Sequence, residues 1–207
     1  ILSNSRDSAT GNNAQRQLDC VRFQTHSSIT RIGTDVKAVI FCGGLGTRLS
    51  EETREKPKPM IEIGGMPMLW HIMKIYAVYG VREFVLTLGY KGEIIKDFFI
   101  NYLQRSRSVT VDMRHGKVEI HHGDSEDWIV HLLDTGFNTM TGGRLKRAVE
   151  FTGRREPFLL TYGDGVADLD VGQLIAFHQR HGKLATVTAV RPPAHFGNMV
   201  FEGDLVT

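Results

Sequence analysis

From residue 36 onward, continuous apolar runs alternate with segments in which apolar residues recur at helical spacing. A continuous apolar run is typical of a strand buried on both faces of a sheet, whereas a spacing of three or four residues is typical of a helix with one buried face. The continuous runs predict strands over Val36–Cys42, Phe84–Leu88, Ile129–Leu133, Phe158–Tyr162 and Ala185–Val190, and Met199–Phe201 is strand-like as well.

Segments with helical spacing lie between these strands. Pro67 suits the first turn of a helix that runs to Gly80, because proline is favoured at a helix start and glycine after a helix end. Thr141 suits the cap of a helix that continues through Val149. Further helices are predicted over Ile94–Tyr102 and Leu174–Phe177.

One segment breaks this alternation. Val109, Val111 and Met113 alternate with polar residues, and so do Val118 and Ile120, which predicts a β-hairpin. Elsewhere strands and helices follow one another, so the predicted fold class is α/β: a doubly wound, mostly parallel, Rossmann-like sheet with an inserted hairpin. In such sheets ligands bind beyond the carboxyl ends of the strands.

The chain divides into two stretches of different composition. Residues 1–35 are rich in Ser, Thr, Asn, Gln and Arg without a sustained period, and we expect a polar, disordered extension. A cloning remnant or a misplaced start codon before Val36 would give the same pattern. Residues 36–207 form the predicted domain. Since the chain stops just after its last strand-like segment, we expect this domain to be incomplete at its C-terminus.

Composition and charge narrow the function classes. The net charge of +2 provides no extended field for a nucleic-acid backbone or a membrane surface. No apolar segment approaches the roughly 18 residues of a membrane span, and no signal peptide is evident. Cys20 lies in the polar stretch and Cys42 in an apolar run, so no disulfide is expected. These features favour a reduced, cytoplasmic protein that binds neither nucleic acid nor membrane.

A glycine-rich loop follows the first strand. Glycines at 43, 44 and 46 let backbone N–H groups approach an anion, and Arg48 adds a fixed positive charge. Lys58 then follows, braced between Pro57 and Pro59. The dinucleotide fingerprint lacks its third glycine here, and the Gly-Lys-Ser/Thr of a P-loop is absent. An ordinary strand-to-helix turn is the alternative, but the clustered cations favour a site for a polyphosphate.

Two other segments carry candidate chemistry. Gly163, Asp164 and Gly165 follow a predicted strand and form either a tight turn or a carboxylate site for Mg²⁺. Because the glycine-rich loop also follows a strand, both segments are predicted to share one crevice. Thr139–Arg144 is either an ordinary helix cap or a contact for base, ribose or phosphate.

The histidines do not form a convincing metal site. His121 and His122 are adjacent on a predicted strand and therefore point to opposite faces, which makes a poor chelate. Together with His115 and His131 we interpret them as solvated hairpin residues.

The chain resembles the sugar-phosphate nucleotidyltransferases, and within them the glucose-1-phosphate cytidylyltransferases. The motifs that carry the resemblance are Val36–Leu49, Ser50–Thr53, Lys56–Met60, Gly64–Lys74, Met140–Arg147 and Tyr162–Asp168. It extends over residues 36–207, which the resemblance identifies as a nucleotidyltransferase domain. Cys42 stands where this family usually has a small residue such as alanine.

The resemblance implies a set of site residues. Substrate binding falls on Phe41, Cys42, Gly43, Gly44, Leu45, Gly46, Thr47, Arg48, Lys58, Thr139, Arg144 and Gly163. Arg48 and Lys58 would carry the catalytic charge on the phosphates, and Asp164 would bind the cofactor Mg²⁺. The implied reaction converts CTP and α-D-glucose 1-phosphate into CDP-glucose and pyrophosphate. It belongs to O-antigen and lipopolysaccharide biosynthesis, and we expect a homo-oligomer.

Two features of the family are not found in this chain. They are a sugar-binding lysine within a Glu-Lys-Pro segment and a second metal-binding aspartate further along. Relatives that use UTP or dTTP share the glycine-rich loop, so a sugar-1-phosphate nucleotidyltransferase of that specificity is one alternative. A non-catalytic nucleotide-binding fragment is the other.

Overall fold

The computed structural model describes residues 36–44, 55–153 and 156–189, together with the backbone of 201–202 and 205–206. The strands are β1 (Lys37–Phe41), β2 (Glu62–Ile63), β3 (Met66–Pro67), β4 (Glu83–Leu88), β5 (Val109–Asp112), β6 (Lys117–Ile120), β7 (Ile129–Asp134), β8 (Phe158–Tyr162), β9 (Phe201–Glu202) and β10 (Leu205–Val206). The helices are α1 (Met68–Val78), α2 (Gly92–Ile100), α3 (Tyr102–Ser106), α4 (Thr141–Thr152) and α5 (Val171–His181). The described residues form two compact units, one that ends at residue 168 and one that begins at residue 169.

A four-stranded parallel sheet in the order β7-β4-β1-β8 organises the first unit. The chain moves from β1 outward to β4 and β7, and then returns to place β8 on the other side of β1. The strand order therefore reverses between β1 and β8. A reversal of this kind leaves a crevice beyond the carboxyl ends of the two strands, which is where open α/β sheets bind ligands.

Residues on β1 alternate between two apolar clusters, one on each face of the sheet. Ala38 and Ile40 pack in a cluster that includes Leu69 of α1 and Ile95 of α2. Val39 belongs to the second cluster, which includes residues of β4 and α4. Helices thus cover both faces, which confirms the predicted doubly wound α/β sheet and explains the continuous apolar run of β1.

The predicted hairpin is confirmed as β5 and β6, which pair antiparallel with Val111 opposite Val118. A smaller hairpin, β2–β3, was not predicted. Gly64 and Gly65 join its strands with φ values of 60° and 82°, a two-residue turn that requires the left-handed conformation at both positions.

Three local predictions are wrong. Pro67 is the N-cap of α1, one residue before the first turn, and has an extended backbone. Thr141 is the first residue of α4, whose N-cap is Met140 and makes no side-chain capping hydrogen bond. Residues 185–189 form no strand, because their apolar pattern finds no ladder partner in the described part of the chain; Val190 lies outside it.

The second unit contains α5 and the antiparallel pair β9–β10. Asp170 caps α5 by accepting a hydrogen bond from the backbone N–H of Gln173, and Gly182 ends the helix with a φ of 62°. In the described ranges, no helix combines the length and the apolar character that crossing a membrane would require.

Candidate functional site

The carboxyl ends of β1 and β8 are tied together at the point where the strand order reverses. The backbone N–H of Gly163 donates to the carbonyl of Phe41 at 3.0 Å, so the ladder continues one residue beyond the strands. On the other side of β1, the N–H of Cys42 donates to the carbonyl of Thr87 of β4 at 3.0 Å. The chain segments that follow β1 and β8 are thereby held side by side.

A cavity of about 410 Å³ opens at these strand ends. Eight residues predicted from the sequence line it: Phe41, Cys42, Gly43, Gly44, Lys58, Thr139, Arg144 and Asp164. The segment that follows β1 and the segment that follows β8 therefore share one crevice, as predicted. Leu45, Gly46, Thr47 and Arg48, which were predicted to bind substrate, lie outside the described residues.

Lys58 and Asp164 face one another in this cavity. The Lys58 Nζ lies 3.8 Å from Oδ2 of Asp164, and the two side chains are 20% and 42% exposed. Lys58 begins a short 3-10 helix, Lys58–Met60, in which Pro59 and Met60 are buried. Burial of the residues behind it fixes the base of the lysine side chain, while its ammonium group stays accessible from the cavity.

Gly163 is confined by the residues that support Lys58. A Cβ atom at Gly163 would lie 3.0 Å from Sγ of Cys42, 3.0 Å from Cγ of Pro59 and 3.2 Å from the Phe41 carbonyl oxygen. These distances are tighter than ordinary packing contacts. The absence of a side chain therefore lets the segment that carries Asp164 lie close to the segment that carries Lys58.

Cys42 packs at the floor of the cavity. Its residue is 1% exposed, and burial, reinforced by the carboxylate of Asp164, strongly raises the pKa of its thiol. A protonated, buried thiol behaves as a small apolar side chain and is a poor nucleophile.

Arg144 reaches into the cavity wall from α4 but is 5% exposed. Its Nη1 donates to the carbonyl of Leu88 at 2.7 Å and to Oγ1 of Thr135. Its Nη2 donates to the carbonyls of Gly43 at 3.1 Å and Phe137 at 3.2 Å. Burial, helped by the charge of Arg147, lowers the pKa of the guanidinium, although an arginine remains charged at any physiological pH.

Thr139 lies on the loop before α4 and is held by Arg147, whose Nη1 donates to the Thr139 Oγ1 at 3.0 Å and also to the Thr135 carbonyl. Sequence reasoning missed several lining residues of this region: Pro59, Phe137, Asn138, Met140, Thr141 and Tyr162. Phe137, Met140 and Tyr162 are more than half exposed. They form an exposed apolar group next to the cavity, and only the structure shows that they lie together there.

None of these four histidines lines the cavity, and the prediction that His131 is a hairpin residue is wrong. His115 and His121 are exposed hairpin residues that contact Asp112 and Thr110. His131 instead belongs to β7 and pairs with Glu83 at 2.8 Å. Within the described ranges, no three His, Cys, Asp or Glu side chains are grouped closely enough to hold a metal ion.

Known proteins similar to this chain agree on one family. The glucose-1-phosphate cytidylyltransferase of Salmonella typhi is 57% identical over 171 residues, which are 83% of this chain and 66% of that protein. A probable glucose-1-phosphate cytidylyltransferase of Bacillus subtilis is 50% identical over 170 residues, 82% of this chain and 66% of that protein. The chain thus spans just under two thirds of the length of these curated relatives.

A solved structure supports the fold. UDP-glucose pyrophosphorylase complexed with UDP-glucose superposes with a TM-score of 0.52 and 18% identity, over 71% of this chain and 54% of that one. Residues 37–206 match the family model described as nucleotidyl transferase. Because this match covers the sheet, the cavity and the segments that line it, the chain belongs to the nucleotidyl transferase family.

Proposed function

We propose that the protein transfers a cytidylyl group from CTP to α-D-glucose 1-phosphate, with CDP-glucose and pyrophosphate as products. The observation that carries this proposal is the pairing of Lys58 with Asp164 in one cavity at the strand-order reversal. The relatives that are 50–57% identical bear the name of this activity. Family membership supports the reaction type, and these relatives support the choice of base and sugar.

The chemistry is a displacement at phosphorus. A phosphate oxygen of glucose 1-phosphate forms a bond to the α-phosphorus of CTP, and the bond from that phosphorus to the oxygen bridging to the β-phosphate breaks. The leaving group is pyrophosphate, and no covalent intermediate on the protein is needed. Such reactions are accelerated mainly by positioning and by stabilisation of charge that builds up on the phosphate oxygens.

The chain provides groups for both tasks. Backbone after β1, at Gly43 and Gly44, borders the cavity without side chains and gives a triphosphate close access. The Lys58 ammonium, which lines the cavity, would bind the α-phosphate or the incoming phosphate nucleophile. Arg48, which follows the same loop in sequence, would neutralise charge on the departing pyrophosphate.

Asp164 fits a magnesium ion. Its carboxylate borders the cavity and is 42% exposed, and Mg²⁺ in nucleotide enzymes is commonly held by one or two carboxylates together with substrate phosphates. A bound Mg²⁺ would neutralise phosphate charge that the chain's own cations leave uncompensated. In the absence of the ion, Lys58 provides the nearby positive charge for this carboxylate.

From the resemblance to glucose-1-phosphate cytidylyltransferases we further propose a cytoplasmic homo-oligomer that acts in O-antigen and lipopolysaccharide biosynthesis.

A substrate panel tests the proposal. The complete protein is incubated with Mg²⁺, glucose 1-phosphate and one of CTP, UTP, dTTP or GTP, and pyrophosphate release is followed. We expect kcat/KM with CTP to exceed that with each other nucleotide at least tenfold. Faster release with UTP or dTTP would assign a different base, and binding of CTP without any release would favour a non-catalytic nucleotide-binding role.

A further inference from the structure

Two glycines that follow neighbouring strands face the same guanidinium group. A Cβ atom at Gly43, after β1, would lie 2.3 Å from Cζ of Arg144. A Cβ atom at Gly89, directly after β4, would lie 2.6 Å from Nη1 of the same side chain. Neither glycine has a left-handed backbone. Space for the guanidinium, and not backbone conformation, is therefore what the structure requires of both positions.

The guanidinium that fills this space connects three segments of the site. Its hydrogen bonds run to the carbonyl of Gly43 after β1, the carbonyl of Leu88 at the end of β4, and the segment from Thr135 to Phe137 after β7. Thr135 is itself joined to Leu88, since its N–H and its hydroxyl both donate to that carbonyl, at 3.0 and 2.6 Å. One cation thus fixes the carboxyl ends of three adjacent strands.

This network leaves the guanidinium little capacity for a ligand. Each Nη nitrogen carries two hydrogens, and each makes two hydrogen bonds to protein oxygens. The side chain is also 5% exposed. A direct bond from either Nη nitrogen to a nucleotide phosphate would require one of these four contacts to break.

Resting on the function proposed above, we propose that Arg144 is a positioning residue, which sits between Gly43 and Gly89 and holds the triphosphate-binding backbone after β1 against the Thr139 loop. Displacing the guanidinium deforms the cavity wall even when its charge is kept. Gly89 then matters to nucleotide binding although it does not line the cavity.

A double-mutant cycle uses thermal stability alone to test whether the Arg144 guanidinium lies between Gly43 and Gly89. We expect Gly89→Ala to lower the thermal midpoint by about 5 °C, as overpacking of a tight site does. In an Arg144→Ala background the same change should shift the midpoint by about 1 °C or less, because the clashing atoms are gone. Equal shifts in both backgrounds would contradict the proposal.

A second pair covers the case in which Arg144→Ala does not fold. Gly43→Ala introduces a Cβ next to the guanidinium, whereas a Cβ at the adjacent Gly44 meets nothing within 4 Å. We expect a lower thermal midpoint for Gly43→Ala than for Gly44→Ala. Similar midpoints for the two variants would contradict the position of the guanidinium next to Gly43.

Kinetics test the positioning role in the complete protein. At a temperature where circular dichroism shows both variants folded, Gly89→Ala should raise the KM for CTP about tenfold, a change worth about 1.4 kcal/mol. The matched change Gly123→Ala, whose Cβ would make only an ordinary contact at 3.6 Å, should leave KM unchanged.

The outcomes separate this inference from the proposed function. Unmodified protein that uses CTP, together with folded Gly89→Ala that uses it equally well, would contradict the positioning role alone. Unmodified protein that uses no nucleotide would contradict the proposed function and the positioning role together, while the stability cycle would still show whether the guanidinium is seated between the two glycines.

Discussion

At the scale of single residues, the site depends on two opposite charges that come from distant parts of the chain. Lys58 leaves a short helix whose other residues are buried, and Asp164 follows β8. Their 3.8 Å separation is longer than a close ion pair, and both groups are partly exposed. An arrangement of this kind contributes little to stability, so its role is better understood as binding of a charged ligand.

We therefore expect Lys58→Ala to lower kcat by roughly 10²–10³ because it removes a charge that acts on the phosphates. The free energy of unfolding should change by less than about 1 kcal/mol. Steady-state pyrophosphate release and urea unfolding measure the two effects, with Lys117→Ala on the exposed hairpin strand as the control. The same loss is expected for Arg48→Ala. Near-normal turnover of either site variant would reject its role.

In the proposed function, Asp164 binds Mg²⁺ through the charge of its carboxylate. Asp164→Asn keeps the size of the side chain and removes the charge, so we expect the Mg²⁺ concentration for half-maximal rate to rise at least tenfold. Rates measured over a Mg²⁺ titration test this, and the exposed Asp124→Asn is the matched control. An unchanged Mg²⁺ requirement would show that the ion is held elsewhere.

At the scale of elements, the amino ends of three strands are joined by one carboxylate. Oε1 of Glu83 on β4 lies 2.6 Å from Nζ of Lys37 on β1 and 2.8 Å from Nε2 of His131 on β7. Burial would raise the pKa of Glu83, but the hydrogen bonds and charges of Lys37 and His131 outweigh it and lower that pKa. This network lies at the edge of the sheet opposite the cavity, so it serves the sheet and not the ligand.

The lowered pKa has a definite consequence for stability. A carboxyl group with a lower pKa in the folded state stabilises the protein above its unfolded pKa of about 4.3, and this contribution is lost as the pH falls through the folded pKa. Glu83→Gln should lower the free energy of unfolding by roughly 0.5–1 kcal/mol at neutral pH. The difference from the unmodified protein should shrink below about pH 4. Denaturant unfolding at several pH values measures it.

Glu119→Gln on the exposed face of β6 is the control for that series, and we expect no pH-dependent difference for it. A difference between Glu83→Gln and the unmodified protein that stayed constant down to pH 3 would show that the glutamate acts by packing and not by charge.

Elements could be predicted from the sequence wherever apolar spacing decided them. The runs of β1, β4, β7 and β8 are strands that pair in one parallel sheet, with β1 and β4 at its centre. Spacing could not show that residues 185–189 lack a ladder partner, since pairing depends on the rest of the chain. Nor could it place the cap of α4, because Thr141 and Met140 differ by one residue and no capping bond selects between them.

The site divides along the same line. Gly43, Gly44, Lys58 and Asp164, which line the cavity, could be predicted as candidates because these residue types suit phosphate and Mg²⁺. The packing of Gly89 against Arg144 could not be predicted, since nothing in the sequence indicates that a guanidinium 55 positions later occupies the space beside this glycine. Contacts of this kind depend on strand order, which a single sequence does not specify.

At the scale of the whole molecule, the position of β8 makes the site. If β8 had been added beyond β7, the strand ends that carry Phe41 and Gly163 would lie three strands apart. Because β8 instead lies beside β1, the segments that follow the two strands share one cavity, with Lys58 on one wall and Asp164 on the other. A single reversal of strand order thus brings together residues more than one hundred positions apart.

A crystal structure of the complete protein with CTP and Mg²⁺ tests this most directly. We predict the triphosphate in the cavity at the ends of β1 and β8, with a phosphate oxygen within about 3 Å of the Lys58 Nζ and the metal bound to the Asp164 carboxylate. Nucleotide bound at another surface, with this cavity empty and Lys58 still paired to Asp164, would contradict it.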